Sequence, residues 1–579
     1  MKAMPRIRRR HVDPALETAL PVDLHPVLRR VYAARGISGP AELDYGLDAL
    51  HPPDLLGGLD EAAALLEEIL TAGGRILVVG DFDADGATGT AVAVRALGAM
   101  GARVEHRVPD RFRLGYGLSP ELVEQLQPLD PALILTVDNG ISSLQGVRAA
   151  RQAGIRVLVT DHHLPGRELP PADAIVNPNL PGDIFPSKAL AGVGVVFYLM
   201  TGLRARLREH GWFAGRGLAE PRLAELLDLV ALGTVADVVP LDRNNRALVQ
   251  QGLRRIRAGR GSPGVQALLR VAGRDPGRCL TTDLGFAVGP RLNAAGRLED
   301  MSLGIECLIT DSPDRAQALA AELDGLNRQR REIEGRMTEQ ALVQLEPLAA
   351  ELSQGNGDPA VCLFDPDWHQ GVIGILASRL KDRLHRPVVA FAPAEPGWVK
   401  GSARSVPGLH VRDALARVEA GRPGLIARFG GHAMAAGISL READLPLFRE
   451  AFGAAVEEVL GPRPEEPELL TDGALQAADF QPGLAAALQA GGPWGQSFPA
   501  PLFDNAFRVC RRRVVGERHL QLGLQCPEGG AVLPAIAFNA LERGWDRAPA
   551  AVRAAFRLEL NCYRGEERLQ LVVEALEPA

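Results

Sequence analysis

The residues best suited to chemistry are acids and histidines in four clusters: Asp81-Phe-Asp83-Ala-Asp85-Gly86, Asp138-Asn139-Gly140, Asp161-His162-His163 and Asp237. Brought to one place and left unpaired, these carboxylates would repel one another, so a shared position calls for a cation. Oxygen donors with one or two imidazoles suit Mn²⁺ or Mg²⁺ better than a thiolate-seeking ion. The set is larger than one such ion takes from protein, and an aspartate such as Asp138 can bridge two. Two divalent ions about 3.5–4 Å apart are a device for phosphoester hydrolysis, one lowering the pKa of water and the other drawing charge from the leaving oxygen. His163, beside His162, is either a donor to phosphate or leaving group, or a core histidine. Each aspartate also has a plainer reading as a helix cap or an Asx turn before glycine. Four clusters in this order favour the metal site.

The first three clusters each follow a short apolar run: Arg75-Ile-Leu-Val-Val-Gly80, Ala132-Leu-Ile-Leu-Thr-Val137 and Arg156-Val-Leu-Val-Thr160. With helical patterns between them, these read as parallel strands buried on both faces. Ligands of such sheets bind beyond the carboxyl ends of the strands, where these acids fall. Gly86 and Gly89 allow a tight turn into a helix near Ala91.

Bulk composition permits this reading without selecting it. At 579 residues the chain is long enough for three or four domains, and 46% apolar with 23% charged residues is ordinary for a soluble protein. Six cysteines with no CxxC pair argue against zinc ribbons and disulfide frameworks and suit a reducing cytosol. The basic start, Met1 to Arg10, is followed by no apolar segment of signal-peptide length. Ala189 to Leu203 is shorter than the ~20 residues of a membrane span and reads as a buried helix. The net charge of −7 includes carboxylates that cations would neutralise. Only Lys2, Lys188, Lys381 and Lys400 are lysines. That bias fits a GC-rich genome, so a lone arginine carries little weight, and Arg379 is expected to face solvent on a helix.

Along the chain five regions separate, making an α/β protein with a carboxyl-terminal barrel. Residues 1–55 read as an amino-terminal extension folding onto the adjoining domain, and 56–250 as the parallel-sheet catalytic domain. Residues 251–355 are a connecting region with Gly289-Pro-Arg-Leu-Asn-Ala-Ala-Gly-Arg297 and a long helix from Arg315 to Ser353, roughly 50–60 Å and able to bridge two domains. Residues 356–460 read as a second, smaller α/β domain. After a Pro/Glu-rich linker at 462–468, residues 461–579 end in alternating strands that predict a small antiparallel barrel. Arg508, Arg511, Arg512, Arg513 and Arg518 there, with Glu517 the only nearby acid, are the candidate contacts to a nucleic-acid strand. Phe507, Phe538 and Tyr563 either stack on bases or fill the barrel.

These motifs resemble those of the DHH phosphoesterase superfamily: Asp161-His-His163 with Asp83-Ala-Asp85, Asp138 and Asp237 in this order. Trp368-His-Gln-Gly-Val-Ile-Gly374, Lys400-Gly-Ser-Ala-Arg-Ser405 and Phe429-Gly-Gly-His-Ala-Met-Ala-Ala-Gly437 look like its DHHA1 companion domain. Gly80 to Ala87, Pro109 to Gly117, Gly289 to Arg297 and Trp494-Gly-Gln-Ser-Phe-Pro narrow the resemblance to the bacterial RecJ family of single-strand-specific 5′→3′ exonucleases, from about residue 20 to the end.

The resemblance implies Asp83, Asp85, Asp138, His162 and Asp237 as ligands of two Mn²⁺ or Mg²⁺ ions, with Asp138 bridging. Asp81 and His163 then assist catalysis. Many superfamily members carry a further histidine ligand where this chain has Val79. Taken alone, Gly401-Ser-Ala-Arg-Ser405 and Gly430-Gly-His432 read as turns or as phosphate cradles. The resemblance makes Ser402, Arg404 and His432 substrate contacts near the 5′ end, with Arg111 and Arg297 as further candidates. The barrel is similar to an OB-fold. Implied too are release of 5′-mononucleotides, a groove between two domains too narrow for duplex, a role in recombination and repair, and a cytoplasmic monomer. Single-stranded DNA with a free 5′ end is the implied partner, with single-strand-binding protein and a RecQ-type helicase as protein partners. Two rivals remain: a phosphodiesterase for short RNA or cyclic dinucleotides, opposed by the residues after 460, and a non-catalytic strand-binding scaffold.

Overall fold

The computed structural model describes residues 6–111, 113–353, 358–461, 468–541, 544–545, 549–563 and 566–579, with backbone alone at 346–353, 562–563 and 566. Two compact units emerge. One is Asp13–Arg328 with Ala490–Ala500; the other joins the residues up to Val12 to Gln329–Gln489 and Pro501–Ala579.

In the first unit five strands pair in parallel, in the order Arg103–Arg107, Arg75–Gly80, Leu133–Val137, Arg156–Thr160 and Ala174–Val176. Alternate side chains take opposite faces. Leu77, Val79, Ile134, Val157 and Val159 pack with Leu122, Val123, Leu126 and Val147 of helices Pro120–Leu126 and Leu144–Gln152. Helices Ala84–Ala99 and Gly192–Glu209 also contact these strands and each other. With helices against both faces, no residue of the three central strands except Arg75 and Arg156 at their starts escapes full burial. Apolar runs without alternation are the consequence.

The stretch 243–309 is largely helical: Arg243–Arg257, Pro263–Val271, Gly289–Leu298 and Ser302–Ile309, with a π-turn at Leu284–Val288. The long helix runs from Pro313 to Ser353, 41 residues and about 60 Å.

The second unit contains a five-stranded sheet in the order Arg428–Gly431, Ala435–Arg441, Trp398–Arg404, Val388–Pro393 and Val361–Phe364; only the last pair is parallel. Phe391, Phe448 and Phe452 fill its core. Phe503–Val515, His519–Gln525, Leu533–Ala537, Ala551–Tyr563 and Glu566–Pro578 close into a barrel. Its pairing is antiparallel except between Leu533–Ala537 and Glu566–Pro578, where a parallel contact closes the barrel. That correction has a geometric cause: a closed ring of five strands cannot alternate in direction all the way round, so one of its pairs has to be parallel. The linker expected at 462–468 lies outside the described residues apart from Glu468.

One further expectation changes. Arg6–Arg9 does not fold onto the segment next to it in sequence but pairs in parallel with Glu468–Thr471. Asp504, fully buried, accepts from Arg9 and Arg553, and these bonds outweigh burial to hold its carboxyl below the usual range. Arg379 is exposed on helix Ile373–Leu384, as expected, and also pairs with buried Glu334 of the long helix, which binds Arg330 as well.

Candidate metal centre

The acidic clusters meet where the sheet ends. Strand Arg75–Gly80 delivers Asp81, Asp83 and Asp85; Leu133–Val137 delivers Asp138; Arg156–Thr160 delivers Asp161, His162 and His163; and Asp237 follows helix Leu227–Ala236. Three sets of donor atoms each lie within 4.8 Å of one another: Asp81, Asp83 and Asp138; Asp85, His162 and Asp237; and Asp138, His162 and His163. His162 Nε2 is 3.1 Å from Asp138 Oδ1, 3.6 Å from Asp237 Oδ2 and 3.9 Å from Asp85 Oδ2. Asp138 and His162 are therefore shared between sets.

Local backbone chemistry aims these groups. Asp83 caps helix Ala84–Ala99, accepting from Asp85 N and Gly86 N through one oxygen. The cap reading and the donor reading of Asp83 hold together, because its second oxygen takes no part in those two bonds. Asp85 accepts from Gly192 N at 2.7 Å and Val193 N at 2.9 Å, at the start of helix Gly192–Glu209. Gly192 has to be glycine: a Cβ there would stand 2.7 Å from Cβ of Asp138. Asp138 itself adopts φ 62°, a left-handed conformation that Asp tolerates better than most residues.

Crowding shows in the electrostatics. Burial first, then neighbouring carboxylates, hold Asp81, Asp85 and Asp138 well above the ordinary carboxylate range. Asp237 is pushed up to about 7 by burial and by Asp83. Buried Asp81 Oδ1 and Asp138 Oδ1 accept no hydrogen bond. Unsatisfied carboxylate oxygens this deep are costly unless a cation or proton joins them. The oxygen-rich donor set with one or two imidazoles fits Mn²⁺ or Mg²⁺.

Val79, at the position where many superfamily members place a histidine, is buried in the core among Leu122 and Val147 and brings no donor to the cluster. Asp81 stands in the set with Asp83 and Asp138 instead.

Three residues shape this site in ways that sequence reasoning did not assign to them. Asp161 is fully buried and accepts from His162 N, His163 N and Ile141 N, while its Oδ1 lies 2.8 Å from His163 Nδ1. Although burial alone would lower it, that carboxylate raises His163 to about 9. Tyr116 donates to the carbonyl of Asp138 at 2.9 Å and lies 3.3 Å from His163 Nδ1. Asn293 accepts from Ala84 N at 2.8 Å. A motif of aspartates and histidines signals donors, whereas these residues act through hydrogen bonds that only the folded chain reveals.

The remaining candidates fall in three places. Arg111 stacks over Phe82, 4.3 Å from the ring centre, and donates to Gly296 O at 3.3 Å, beside Asp81 and Asp83. Arg297 follows Gly296 and is half-buried. Ser402 and Arg404 share one face of strand Trp398–Arg404, joined by a 2.9 Å bond, and Gly374 at the start of helix Ile373–Leu384 lies against both. Exposed His432 follows strand Arg428–Gly431. On the barrel, Arg508, Arg511, Arg512, Arg513 and Arg518 are all exposed. Phe507 is 1% exposed and belongs to the barrel core, which excludes it from base stacking; Phe538 is 50% exposed. The Tyr563 side chain lies outside the described residues.

Comparison with known proteins agrees with this arrangement. The DHH family N-terminal domain matches residues 75–234, the DHHA1 domain 357–458 and the RecJ OB domain 471–575. The chain is 52% identical to the single-stranded-DNA-specific exonuclease RecJ of Salmonella typhimurium, over 100% of both chains. It is 38% identical to the RecJ of Thermus thermophilus, covering 95% of this chain and 75% of the relative. The crystal structure of Thermus thermophilus RecJ in complex with Mn²⁺ superposes with a TM-score of 0.81 at 34% identity, over 99% of this chain and 80% of that one. Its complex with Mg²⁺ gives 0.76 at 32% identity, over 99% and 78%. Three domains in the same order and identity along the whole length place this chain in the RecJ family.

Proposed function

We infer that the chain is a metal-dependent exonuclease specific for single-stranded DNA, and we propose that it digests 5′→3′ and releases 5′-mononucleotides. The observation that carries the reading is the carboxylate–imidazole nest past the carboxyl ends of the central strands, in which Asp138 and His162 are shared between donor sets. Asp83, Asp85, Asp138, His162 and Asp237 would hold the ions, with Asp81 completing the set that lacks a histidine. Bound there, two divalent ions supply an activated water and charge stabilisation at the leaving oxygen.

The chain's own residues orient the substrate. His163, held protonated by Asp161, donates a hydrogen bond to the scissile phosphate or to the departing 3′-oxygen. Arg111 and Arg297, beside the Asp81–Asp85 turn, neutralise phosphate charge. Ser402, Arg404 and His432 take the terminal phosphate, and the exposed arginines of the barrel hold the trailing strand by its backbone. As a RecJ-family enzyme it would act in the cytoplasm as a monomer in recombination and repair, with single-strand-binding protein and a RecQ-type helicase as the partners to test.

Digestion of a 30-mer labelled at either end, with Mn²⁺ and with chelator, tests the proposal. Mononucleotides released from the 5′ label first, and only with metal, are expected. Release from the 3′ end, or cleavage of dinucleotides but not of the 30-mer, would overturn it; the second outcome would favour a short-oligonucleotide phosphodiesterase.

A further inference from the structure

Residues 241–280 contain nine arginines against two acids, Asp242 and Asp275, in a chain whose net charge is −7. Seven of them, from Arg254 to Arg278, lie in or just past the ends of helices Arg243–Arg257 and Pro263–Val271 and in the 276–278 turn, whereas Arg243 and buried Arg246 stand at the start of the first helix. Arg257, in the last turn of helix Arg243–Arg257, donates to Cys279 O at 2.8 Å, and both Arg254 and Asp283 act on its charge. Asp283 in turn pairs with Arg274 at 3.3 Å. Arg255 donates to Arg260 O at 2.9 Å, and Arg278 stands in the short turn just before Cys279. Arg254, Arg260, Arg270, Arg274 and Arg278 are exposed.

Basic residues are favoured near helix carboxyl ends, which is the plainer explanation for some of them. Magnitude decides against it for the set. Two helices end here, each with the equivalent of about half a negative charge, far short of balancing arginines drawn from two helices and the 276–278 turn. A residual positive surface of this size attracts a polyanion.

The character of the surface narrows the occupant. Residues 241–280 include no Phe, Tyr or Trp, and Phe286, three residues past Asp283 and 79% exposed, offers one ring rather than a series of stacking platforms. Single-strand sites combine cations with aromatic platforms on which bases stack, whereas a duplex presents only phosphate and groove to a cationic face. The position fits too. Asp237 lies just before the start of helix Arg243–Arg257 and the cluster at its far end, so its 15 residues separate the two by about 20 Å.

We propose that this arginine surface binds the phosphate backbone of the duplex from which the digested strand emerges, about 20 Å from the carboxylate nest. The proposal rests on the exonuclease reading. None of its residues belongs to the metal centre or to the strand contacts assigned above.

The test is binding of the full chain, with chelator to prevent cleavage, to a 5′-tailed duplex and to the same tail as a free single strand, across a salt series. The triple variant Arg254→Glu, Arg270→Glu and Arg278→Glu is expected to bind the tailed duplex at least tenfold more weakly. Its salt slope should fall by about 2 to 3, since each lost phosphate contact removes about 0.9. Affinity for the single strand and Mn²⁺-dependent digestion of a 30-mer should stay within twofold of wild type. The triple Gln variant, compared by melting temperature, guards against misfolding and should show the same pattern more weakly. Unchanged binding of the tailed duplex would mean a solvated face, and equal loss on both substrates a single-strand path; either overturns the proposal. Failure of the wild type to digest the 30-mer would sink the exonuclease reading instead, while the binding contrast would still decide the surface.

Discussion

The side-chain oxygen of Asn293 accepts the backbone N–H of Ala84 at 2.8 Å, joining residues 209 positions apart. Ala84 sits between two proposed metal ligands, Asp83 and Asp85. One turn beyond Asn293, Gly296 lies so close to Phe82 O that a Cβ there would stand 1.9 Å away. Helix Gly289–Leu298 thus braces the turn of proposed metal ligands from behind, and Arg291 anchors that helix to Asp324 of the long helix at 2.9 Å.

Asn293→Ala removes the partner of the N–H of buried Ala84, at a cost of about 1–3 kcal/mol. Mn²⁺ affinity should fall about 10- to 100-fold, as for other losses of groups that orient metal ligands. Calorimetric titration with Mn²⁺, alongside thermal melts, checks this. Loss of stability with unchanged Mn²⁺ affinity would make Asn293 structural only.

The metal centre should make stability depend on pH in a way that the ion reverses. Asp237 is raised from 3.8 to about 7. Between those values the folded chain keeps a proton that the unfolded chain releases, so its contribution falls as pH rises through the window. His163, raised to about 9 from 6.5, adds a loss of the same sign between those values. A bound cation takes the place of the proton on Asp237. The melting-temperature gap between Mn²⁺-loaded and chelated protein should therefore widen from about pH 5 to about pH 8. A gap independent of pH would contradict proton–metal competition at these carboxylates.

Asp161→Asn places an amide among donors. Every hydrogen bond to Asp161 comes from an N–H or an imidazole nitrogen, so either orientation of Asn turns an NH₂ towards one of them. Destabilisation of about 2 kcal/mol or more is expected, since a buried donor loses its acceptor. The His163 titration, followed by NMR, should drop from about 9 towards its ordinary value. An unmoved His163 would show that Asp161 does not set its charge.

In the barrel, two phenylalanines separate packing from binding. Phe507→Ala, in a fully buried position, should cost about 3–5 kcal/mol. Phe538→Ala, at 50% exposure, should leave the melt within about 1 kcal/mol of wild type. If Phe538 stacks on a base, its variant should also weaken single-strand binding by about 1–3 kcal/mol. Unaltered strand binding would leave the work to the arginines.

Much of the first unit's sheet and most of the donor cluster were legible because their signals are local. The apolar runs before Asp81, Asp138 and Asp161 are buried on both faces, so they show as unbroken Val, Ile and Leu, and each acid follows its strand directly. What stayed hidden depends on remote pairing. Asp161 looked like one more donor in its motif, yet its two oxygens are taken up by N–H groups. Asn293 and Tyr116 carry no motif chemistry, and only folding brings them to Ala84 and Asp138. Arg6–Arg9 pairs with a strand more than 450 residues away, a register no short-range pattern encodes. The parallel closure of the barrel arises in the same way, from strands not adjacent in sequence.

In the proposed function, activity depends on a nest that would capture hard divalent ions through a bridging Asp138. Counting bound Mn²⁺ by electron paramagnetic resonance in wild type and Asp138→Asn, with single-strand binding and melting recorded in parallel, tests that dependence most directly. Asn keeps the left-handed backbone at 138 that Ala would strain. The expected result is two ions in the wild type, loss of at least one in the variant, abolished release of nucleotides, and retained fold and strand binding. A variant that holds the same number of ions and still digests single-stranded DNA would contradict the bridging role and the nuclease reading built on it.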